Sequence, residues 1–567
     1  MLSTTQVNDD RDAGVEASWI QRAADTAIEH ARKSSSKRIV CASGISPSGP
    51  IHLGNLREVM TAHLVCEEIK ARGFEAVHVH SWDDYDRFRK VPAGLPESWG
   101  EHIGKPLAAV PDPHGERDSY ASHFIAEFTA ALRRLGVEMR EIRQSQQYPA
   151  GTYNAQIRRS MDSRNDIFDI LERFQTEGRH EKPVSERRAA YYPFKPYCEV
   201  CGKDSTEVTG WDGRNVAYRC RCGHTGNMSI ADDARVSGKL VWKVDWPMRW
   251  AFEGVDFEPA GEDHHAPTSS FASGKVVAPE IFAAPAPSSI VYSFVGLAGG
   301  KSKMSGSAGG AATPDTALEI FEPPMVRWLY ARRLPSQSFT IDMSPPAILR
   351  LYDEWDRFAA KAKGDSASVV ERHLHRACVQ TSAGVVERSV RPVSFRLLSS
   401  AADITAANPE QVERLVRQHL ESDSDVGLPD DAALLDELQP RLTNAVNFAR
   451  ALPPEDRTII RTEFNAEAWP ELDDRTRAGV GMLAARMGND WTLDGLTKSV
   501  YAVPKLMEGL DEDAAPTPEL KKAQRSFFKA VYCLLCSRET GPRLPTLLLS
   551  IGQDQARRLL TAPRGTE

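Results

Sequence analysis

The sequence predicts an α/β domain of Rossmann type that carries a metal-binding insertion and is followed by an all-α domain. Three observations support this fold class. A strand, a glycine-rich turn, a helix and a second strand follow one another near the start of the chain, and four cysteines cluster between residues 198 and 222. Beyond Pro345 the pattern changes to amphipathic helices. With 567 residues, the chain is too long for one hydrophobic core, so several domains are expected.

The opening unit is a predicted βαβ arrangement. Its strands are expected at residues 38–43 and 76–80, because both runs are short and apolar. Between them, a turn rich in glycine, proline and serine leads into apolar residues at helical spacing, namely Leu53, Leu56, Met60 and Leu64. Nucleotides bind at the first turn of such a unit, so we expect a nucleotide site there.

The order of domains follows from where this sheet pattern stops and resumes. Residues 240–246 and 289–294 are predicted strands, and 297–313 are a loop rich in glycine and serine. We expect a flexible N-terminus at 1–16, two halves of the α/β domain at 17–145 and 236–315, an insertion at 146–235, a connecting segment at 316–345 and a helical domain at 346–567.

Composition limits the kind of protein and its partners. Hydrophobic residues make up 41% of the chain and charged residues 26%, which is typical of a globular protein. Because the net charge is −8, a nucleic acid would have to be bound by local clusters of Lys and Arg. The apolar runs are shorter than the ~20 residues that a membrane-spanning helix needs. We therefore expect a cytoplasmic protein without membrane contact.

The first nucleotide motif occupies the turn at residues 43–55. Gly49 permits close approach of the backbone to a phosphate, and His52 lies at a helix start, where the macrodipole favours anions. Gly54 would leave room for adenine against the first turn. The alternative is a plain turn with a capping histidine.

The second motif is a lysine in the glycine-rich loop, where Lys303 precedes Met304, Ser305, Gly306 and Ser307. A mobile lysine can reach triphosphate oxygens and neutralise charge as pyrophosphate leaves. Such a loop alone is more often a solvated linker. Its occurrence together with the first motif favours the nucleotide-binding interpretation.

Together the two motifs resemble the two signature sequences of class I aminoacyl-tRNA synthetases. The stretch from His52 to Asn55 corresponds to the first signature, and the stretch from Lys303 to Ser307 to the second, with Gly306 in place of a lysine. Further strings narrow the resemblance to class I lysyl-tRNA synthetases from about residue 17 to about residue 553; they lie at 81–92, 244–250, 261–264, 527–528 and 541–544.

The resemblance implies a substrate set and a catalytic set. ATP, Mg²⁺, L-lysine and tRNA(Lys) are the expected cofactors and partners, and His52, Asn55 and Lys303 are the expected catalytic residues. ATP is expected to contact Pro47, Gly49, His52, Gly54, Asn55, Lys303, Met304, Ser305 and Ser307. The insertion is expected to contact the acceptor stem, residues 316–345 to form a connecting stem-contact region, and the helical domain to bind the anticodon.

The lysine pocket is also inferred from the resemblance. Gly44 and Ser46 are expected to hold the α-amino and carboxyl groups. The side chain is expected to lie among Trp242, His264 and Tyr292. Asp83 and Asp245 are candidates for pairing with the ammonium group, or else loop residues that cap or orient.

The clustered cysteines predict a tetrahedral metal site. The ligands would be Cys198, Cys201, Cys220 and Cys222, and zinc is the usual occupant of four thiolates. A closed four-ligand site leaves no position for water, so the expected role is structural. An empty thiol cluster is the alternative, and His224 could replace Cys222 as a ligand.

Three other functions remain open from the sequence alone. A glutamyl-type class I synthetase or a small-molecule adenylyltransferase can share both nucleotide motifs, although the large helical domain argues against the second. A tRNA-binding protein that has lost catalysis would also fit the Gly306 departure.

Overall fold

The computed structural model describes residues 17–175, 182–298, 312–421, 431–515 and 517–563. It divides into two compact units. The first takes 1–318, 323–343 and 357–387, and the second takes 319–322, 344–356 and 388–567. Residues 357–387, which the sequence pattern assigned to the helical domain, therefore pack with the first unit.

A parallel sheet forms the centre of the first unit. Its three regular strands pair in the order β1, β2, β3, and they are β1 (Ile39–Ile45), β2 (Ala76–Trp82) and β3 (Arg140–Arg143). On the other side of β1, parallel bridges join Cys41 to Phe257 and Phe257 to Ser288. Strands after β1 are therefore added first on one side of it and, from the Phe257 segment onward, on the other, so the order of strands in the sheet reverses at this point. In open parallel sheets, ligands bind at the carboxyl ends of the strands beside such a reversal.

Helices connect these strands. Helix α1 begins with a capping box of Ser18 and Gln21, and most residues of helix α2 are buried. The bounds are α1 (Trp19–Lys33), α2 (Leu53–Ala71) and α3 (Tyr120–Arg134), with 3₁₀ turns at Glu97–His102 and Leu107–Ala109. The predicted opening βαβ unit is thus present in the described chain, with β1 and β2 each extending two residues beyond the predicted ends.

The insertion contains short helices and two small antiparallel sheets. The strands β5, β6 and β7 form one sheet, and β4 pairs with β8. The elements are α4 (Gln144–Gln147), α5 (Asn154–Asp162), α6 (Arg164–Glu172), α7 (Val184–Ala190), β4 (Phe194–Pro196), β5 (Thr206–Trp211), β6 (Asn215–Cys220), β7 (Thr225–Ser229) and β8 (Gly238–Leu240). Most of their buried apolar side chains share a hydrophobic cluster with Met248 and Val277 beyond the insertion, and Cys198, Tyr218 and Cys220 form a second cluster.

The predicted strand at 240–246 is wrong. Strand β8 ends at Leu240, and helix α8 (Trp242–Glu253) begins two residues later. Alternating apolar residues suggested a strand, but Trp242, Trp246 and Trp250 are spaced four apart and share one helix face. The ring centroids of Trp242 and Trp246 lie 5.0 Å apart at an interplanar angle of 20°, so packing of the indoles favours the helix.

The remaining elements of the first unit are helices and short strands that follow α8 in the chain. The predicted strand at 289–294 is reduced to two residues. The elements are β9 (Ala260–Gly261), α9 (Glu262–His265), α10 (Ser270–Phe282), β10 (Val291–Tyr292), β11 (Val295–Leu297), α11 (Pro314–Leu318), α12 (Pro323–Ala331) and β12 (Phe339–Ile341). Helix α13 (Pro345–Lys363) belongs to the second unit up to Asp356 and to the first from Arg357 onward. It is followed in the first unit by α14 (Val369–Val379), β13 (Gln380–Thr381) and β14 (Gly384–Val385). Strand β9 pairs with β10 and β11 with β12, both in parallel.

The second unit is helical, as predicted. Its helices are α15 (Phe395–Ile404), α16 (Pro409–Glu421), α17 (Asp431–Glu437), α18 (Arg441–Ala451), α19 (Asp474–Arg486), α20 (Leu493–Met507), α21 (Pro518–Cys536), α22 (Leu544–Ile551) and α23 (Gln553–Leu560), with a 3₁₀ turn at Pro454–Asp456. Arg441 is buried at its centre and pairs with Glu322 and Asp356. Within the described ranges, none of the helices of either unit is long and apolar enough to cross a membrane.

Candidate active site

A cavity of about 80 Å³ lies where the sheet order reverses. Gly44 near the carboxyl end of β1 lines one side, and Glu258, next to the Phe257 bridge, lines another. Glu58 of α2, Trp242 and Trp246 of α8, and His264 of α9 also face it. The cavity therefore occupies the position at which parallel α/β folds bind ligands.

His52 and Asn55 form a capping box at the start of α2. The backbone N–H of Asn55 donates to Nδ1 of His52 at 3.3 Å, and the backbone N–H of His52 donates to Oδ1 of Asn55 at 3.3 Å. Because Nδ1 is an acceptor, the proton of the neutral ring is on Nε2. The first motif thus presents an N–H donor at a helix N-terminus.

Gly54 is required by the position of the His52 ring. A Cβ atom at this residue would lie 2.8 Å from both Cε1 and Nδ1 of His52. The sequence pattern explained this glycine by room for adenine. The structure supplies another reason, because any side chain at this position would displace the imidazole.

The second motif lies outside the described residues. Its residues Lys303, Met304, Ser305 and Ser307 lie outside them as well. Both flanks of their loop are described. Leu53 donates its backbone N–H to the carbonyl of Ala312 at 2.9 Å, and the carbonyl of Val295 lies 3.5 Å from the Cβ position of Gly54. The chain therefore leaves and re-enters the described fold beside the start of α2, where His52 lies.

Glu58 connects three elements around the cavity. Its Oε1 accepts the backbone N–H of Gly44 at 2.7 Å, and its Oε2 accepts the hydroxyl of Tyr292 at 2.9 Å. Burial raises the pKa of Glu58 to about 8, and the nearby carboxylate of Glu258 contributes to the rise. Around neutral pH, Glu58 therefore holds a proton for much of the time in the unliganded protein.

Glu258 is the second acid of the cavity. It accepts the indole N–H of Trp246 at 3.0 Å and that of Trp250 on its other oxygen. Burial raises the pKa of Glu258 to about 7, against the effect of the two indole donors. His264 packs edge-on against Trp246, with ring centroids 5.4 Å apart. Two enclosed acids and an aromatic wall therefore share one cavity.

Asp83 and Asp245 are paired with cations of the protein itself. Arg249 Nη1 lies 2.9 Å from Asp83 and Nη2 lies 3.2 Å from Asp245, while Lys239 Nζ lies 3.4 Å from Asp245. All four side chains are buried. Although burial opposes ionisation, the guanidinium of Arg249 and the ammonium of Lys239 lower the pKa of Asp83. Lys239 Nζ also lies 2.5 Å from Asp86, so three acids share two cations. In this charged network, Asp83 and Asp245 already have partners.

The four clustered cysteines come together in the insertion. Their Sγ atoms all lie within 4.8 Å of one another, with 3.7 Å between Cys198 and Cys222 and 3.6 Å between Cys201 and Cys220. Thiolates at ~2.3 Å from a tetrahedral zinc ion would be ~3.8 Å apart. His224 does not belong to this group of atoms, and its Nε2 is 2.7 Å from Oε1 of Glu199. The spacing fits a four-cysteine metal site.

The sequence matches a known protein family. A family model described as tRNA synthetases class I (K) matches residues 17–384. The chain belongs to this family.

Several relatives of the synthetase match it over nearly their whole length. A protein named lysine--tRNA ligase from Streptomyces coelicolor is 46% identical and covers 96% of this chain and 98% of its own. Proteins of the same name from Pyrococcus horikoshii, at 33% identity, and Treponema pallidum, at 31%, cover 94% and 96% of this chain and 97% and 98% of their own. A solved glutamate tRNA ligase from Elizabethkingia meningosepticum, at 14% identity, covers 93% of this chain and 98% of its own with a TM-score of 0.38, too low a likeness to support an argument.

The residues predicted for the lysine pocket of the synthetase lie in three different places. Gly44, Trp242 and His264 line the cavity, and Tyr292 reaches it through its hydrogen bond to Glu58. Ser46 is partly exposed and is not among the lining residues. Asp83 and Asp245 lie in the charged network with Lys239 and Arg249.

The two adjacent histidines of α9 have different surroundings. His264 lines the cavity, whereas His265 packs on Phe271 with ring centroids 4.4 Å apart. Burial lowers the pKa of His265 to about 4, so that ring is neutral at physiological pH. Of the two imidazoles, His264 is therefore the one that faces the cavity.

Sequence reasoning missed Glu58 and Glu258. Glu58 lies four residues after Gly54 in a helix that is mostly buried, and an acid one turn after the first motif is a signal that could have been used. Glu258 lies directly after Phe257, the residue that bridges β1 to the next segment of the sheet, and only the fold brings it to the cavity.

Proposed function

We propose that the synthetase activates L-lysine with ATP and transfers the lysyl group to tRNA(Lys). The observation that carries this conclusion is the 46% identity, over nearly the full length of both chains, to a protein named lysine--tRNA ligase. In the first step, the lysine carboxylate attacks the α-phosphorus of ATP and pyrophosphate leaves. In the second step, the terminal adenosine of tRNA attacks the lysyl-adenylate and AMP leaves. The cytoplasmic location stays a prediction.

The phosphate chemistry is assigned to the start of α2 and the glycine-rich loop. His52 donates from Nε2 to a phosphate oxygen, Asn55 holds its ring, and Lys303 neutralises charge on the leaving pyrophosphate. Mg²⁺ bound with ATP would supply further charge neutralisation on the phosphates. The ATP contacts proposed for Pro47, Gly49, Gly54, Met304, Ser305 and Ser307 stay predictions. The placement of both loop ends beside α2 supports this assignment.

The amino acid is assigned to the cavity. Its α-amino and carboxyl groups would lie near Gly44 and Ser46, and its side chain against Trp242, His264 and Tyr292. Asp83 and Asp245 would then act as positioning residues. Their pairing with Arg249 fixes the side of the cavity formed by α8.

Zinc is the proposed occupant of the cysteine cluster. The sulfur spacing supports this choice, and four thiolates are a typical ligand set for structural zinc. The ligands come from the turn after β4 and from the connection between β6 and β7. Zinc bound there would hold the small sheets of the insertion together.

The test of the proposed function is pyrophosphate exchange with each of the twenty amino acids in turn. We expect exchange with lysine and at most a trace with the others. Exchange with glutamate would favour a glutamyl-type enzyme. No exchange with any amino acid, in protein that still binds tRNA, would favour a tRNA-binding protein without catalysis.

The helical unit is assigned to the anticodon, and one of its helices offers a testable surface. Lys521, Lys522 and Arg525 are all exposed near the start of α21. Clustered cations of this kind contact phosphates without reading sequence. The double substitution Lys521→Glu and Lys522→Glu should raise the KM for tRNA about tenfold in aminoacylation and leave lysine-dependent exchange unchanged.

The matched control is Lys33→Glu with Lys37→Glu, which makes the same change of charge at exposed residues of the first unit. Its KM for tRNA should stay near that of the unaltered protein. Equal effects of the two double variants would mean that overall charge, rather than α21, determines tRNA affinity.

A further inference from the structure

We propose that Arg57 is a positioning residue for the activation step, because it fixes the start of helix α2 relative to strand β11, which precedes the glycine-rich loop. The connection runs through residues 330–341, which contact both elements. This inference rests on the proposed function and assigns a residue that neither nucleotide motif contains. It concerns contacts within the protein and is separate from the stem contact expected for residues 316–345.

Arg57 is enclosed, with 2% of its surface exposed, and its acceptors in the described chain are neutral carbonyls. Its Nη2 donates to the carbonyl of Pro335 at 2.6 Å and to that of Leu334 at 3.0 Å. Burial lowers the pKa of Arg57 to about 10, so the guanidinium stays charged at neutral pH. Enclosing a cation among neutral acceptors costs free energy, so these contacts are a poor source of stability and a better source of fixed geometry.

The carbonyl of Pro335 joins the helix to the strand. Besides the guanidinium of Arg57, it accepts the backbone N–H of Ser293 at 2.9 Å. Ser293 lies two residues before β11, and its hydroxyl donates to the carbonyl of Ser336 at 2.8 Å. A carbonyl oxygen has two lone pairs, and here a side chain of α2 and the backbone before β11 share them. Displacement of either donor therefore disturbs the other.

Two further contacts tie residues 330–341 to the same pair of elements. Strand β12 pairs in parallel with β11, and the backbone N–H of Ala298 donates to the carbonyl of Ile341 at 2.9 Å. The hydroxyl of Tyr330 donates to the carbonyl of Leu53 at 2.7 Å, in the first turn of α2. The segment is thus bound at one end to the start of α2 and at the other to the end of β11.

Phe339 couples Arg57 to the strand pair as well. Its buried ring belongs to β12, and its Cα is paired with that of Val295 in β11. The guanidinium carbon of Arg57 lies 5.1 Å from the ring centroid, and that of Arg333 lies 5.4 Å from it. Cations at this distance over an aromatic face are attracted by the ring. Loss of the Arg57 guanidinium should therefore loosen β12 and, through the pairing, β11.

This arrangement fixes the start of α2 relative to the end of β11. His52 precedes α2 directly, and Lys303 follows β11 in the chain. Both residues are proposed to act on charge in the same transition state, and such groups are effective only when they are held in position beforehand. Arg57 acts on this step through the two elements and contacts neither ATP nor lysine.

The test measures lysine-dependent pyrophosphate exchange, in the presence of tRNA(Lys), for Arg57→Met and Tyr330→Phe. We expect kcat per folded chain to fall about 30-fold for Arg57→Met and about fivefold for Tyr330→Phe, with the KM for lysine within about threefold. Arg57→Lys keeps the charge but not the planar group of donors, so it should recover only part of the loss. Hydrogen exchange at the amide of Ala298 should increase in Arg57→Met without any ligand.

A double-mutant cycle with Lys303→Ala separates positioning from general destabilisation. If Arg57 acts by placing the element that leads to Lys303, Arg57→Met should lower kcat by less than about threefold once that lysine is absent. Losses that multiply would overturn the proposal, and so would an unchanged kcat in folded Arg57→Met. If Arg57→Met is not recovered folded, Tyr330→Phe and its cycle with Lys303→Ala decide in the same way.

The matched control is Arg327→Met, because Arg327 is another fully buried arginine of the first unit that donates to carbonyls, those of Leu135 and Ala377. It should lower the Tm at least as much as Arg57→Met but keep kcat within about threefold. An equal fall of kcat in both variants would overturn the proposal. Absence of lysine-dependent exchange in the unaltered protein would instead overturn the proposed function.

Discussion

Replacing His52 with alanine should lower the rate of lysine-dependent pyrophosphate exchange about 100-fold or more. The structure fixes the ring by the hydrogen bond from Asn55 to Nδ1, so that Nε2 carries the proton. A donor held in advance at a helix N-terminus stabilises charge that develops on the phosphate in the transition state. The loss should therefore fall on kcat. A rise in the KM for ATP at constant kcat would instead indicate ordinary ground-state binding.

Gly54→Ala tests the same interaction without removing the imidazole. The added methyl group would lie 2.8 Å from the ring of His52, so the ring must move from its capping position. We expect a loss similar to that of His52→Ala. The control is Gly100→Ala, because a Cβ atom at Gly100 meets nothing within 4 Å. Normal exchange by Gly54→Ala would show that the position of the ring does not matter. A matching loss of tRNA affinity would contradict a role confined to activation.

Removal of zinc, or Cys198→Ser, should unfold the small antiparallel sheets of the insertion and leave the parallel sheet intact. Metal that organises a small module contributes its binding free energy to the folding of that module. Hydrogen exchange should therefore increase in β5, β6 and β7 but not in β1 or β2. The reason is local, because Cys198 Sγ lies 3.7 Å from Cys222 Sγ across the cluster.

Cys533→Ser is the control for this experiment, because that thiol lies on α21, in the other unit. Metal analysis should find close to one zinc ion per chain in the unaltered protein and in Cys533→Ser, and much less in Cys198→Ser. Full protection of β5 to β7 after complete removal of the metal would contradict a structural role.

The parts of the fold that the sequence predicted are those specified by local pattern. Strands β1 and β2, helix α2 and the helices of the second unit follow from apolar periodicity, and the cysteine spacing predicted the cluster. Helix α8 was missed because apolar residues four apart, such as Trp242 and Trp246, share one face in a helix and also share one face in a strand. Local pattern therefore identifies most elements but does not decide between two periods that both fit.

The pocket was harder to predict because its acids act through long-range contacts. Glu58 bonds to Tyr292, which is 234 residues away in the chain, and Asp83 bonds to Arg249, which is 166 residues away. Nothing in the sequence around Asp83 shows that an arginine of α8 will form an ion pair with it. Residues 357–387 pack with the first unit, and the sequence did not show this because helical periodicity does not reveal which core a helix joins.

The charged network around Arg249 has a consequence for substitution at its sites. Asp83, Asp86 and Asp245 share the cations of Lys239 and Arg249. Loss of Lys239 or Arg249 leaves enclosed carboxylates without their cation, which is far more harmful than losing a single contact. Loss of one acid together with one base leaves the net charge of the network unchanged. Effects of single and paired substitutions should therefore be strongly non-additive. Sequence change at these five sites would proceed through compensating pairs, and the side of the pocket that they fix would change its residues more slowly than the rest of the cavity.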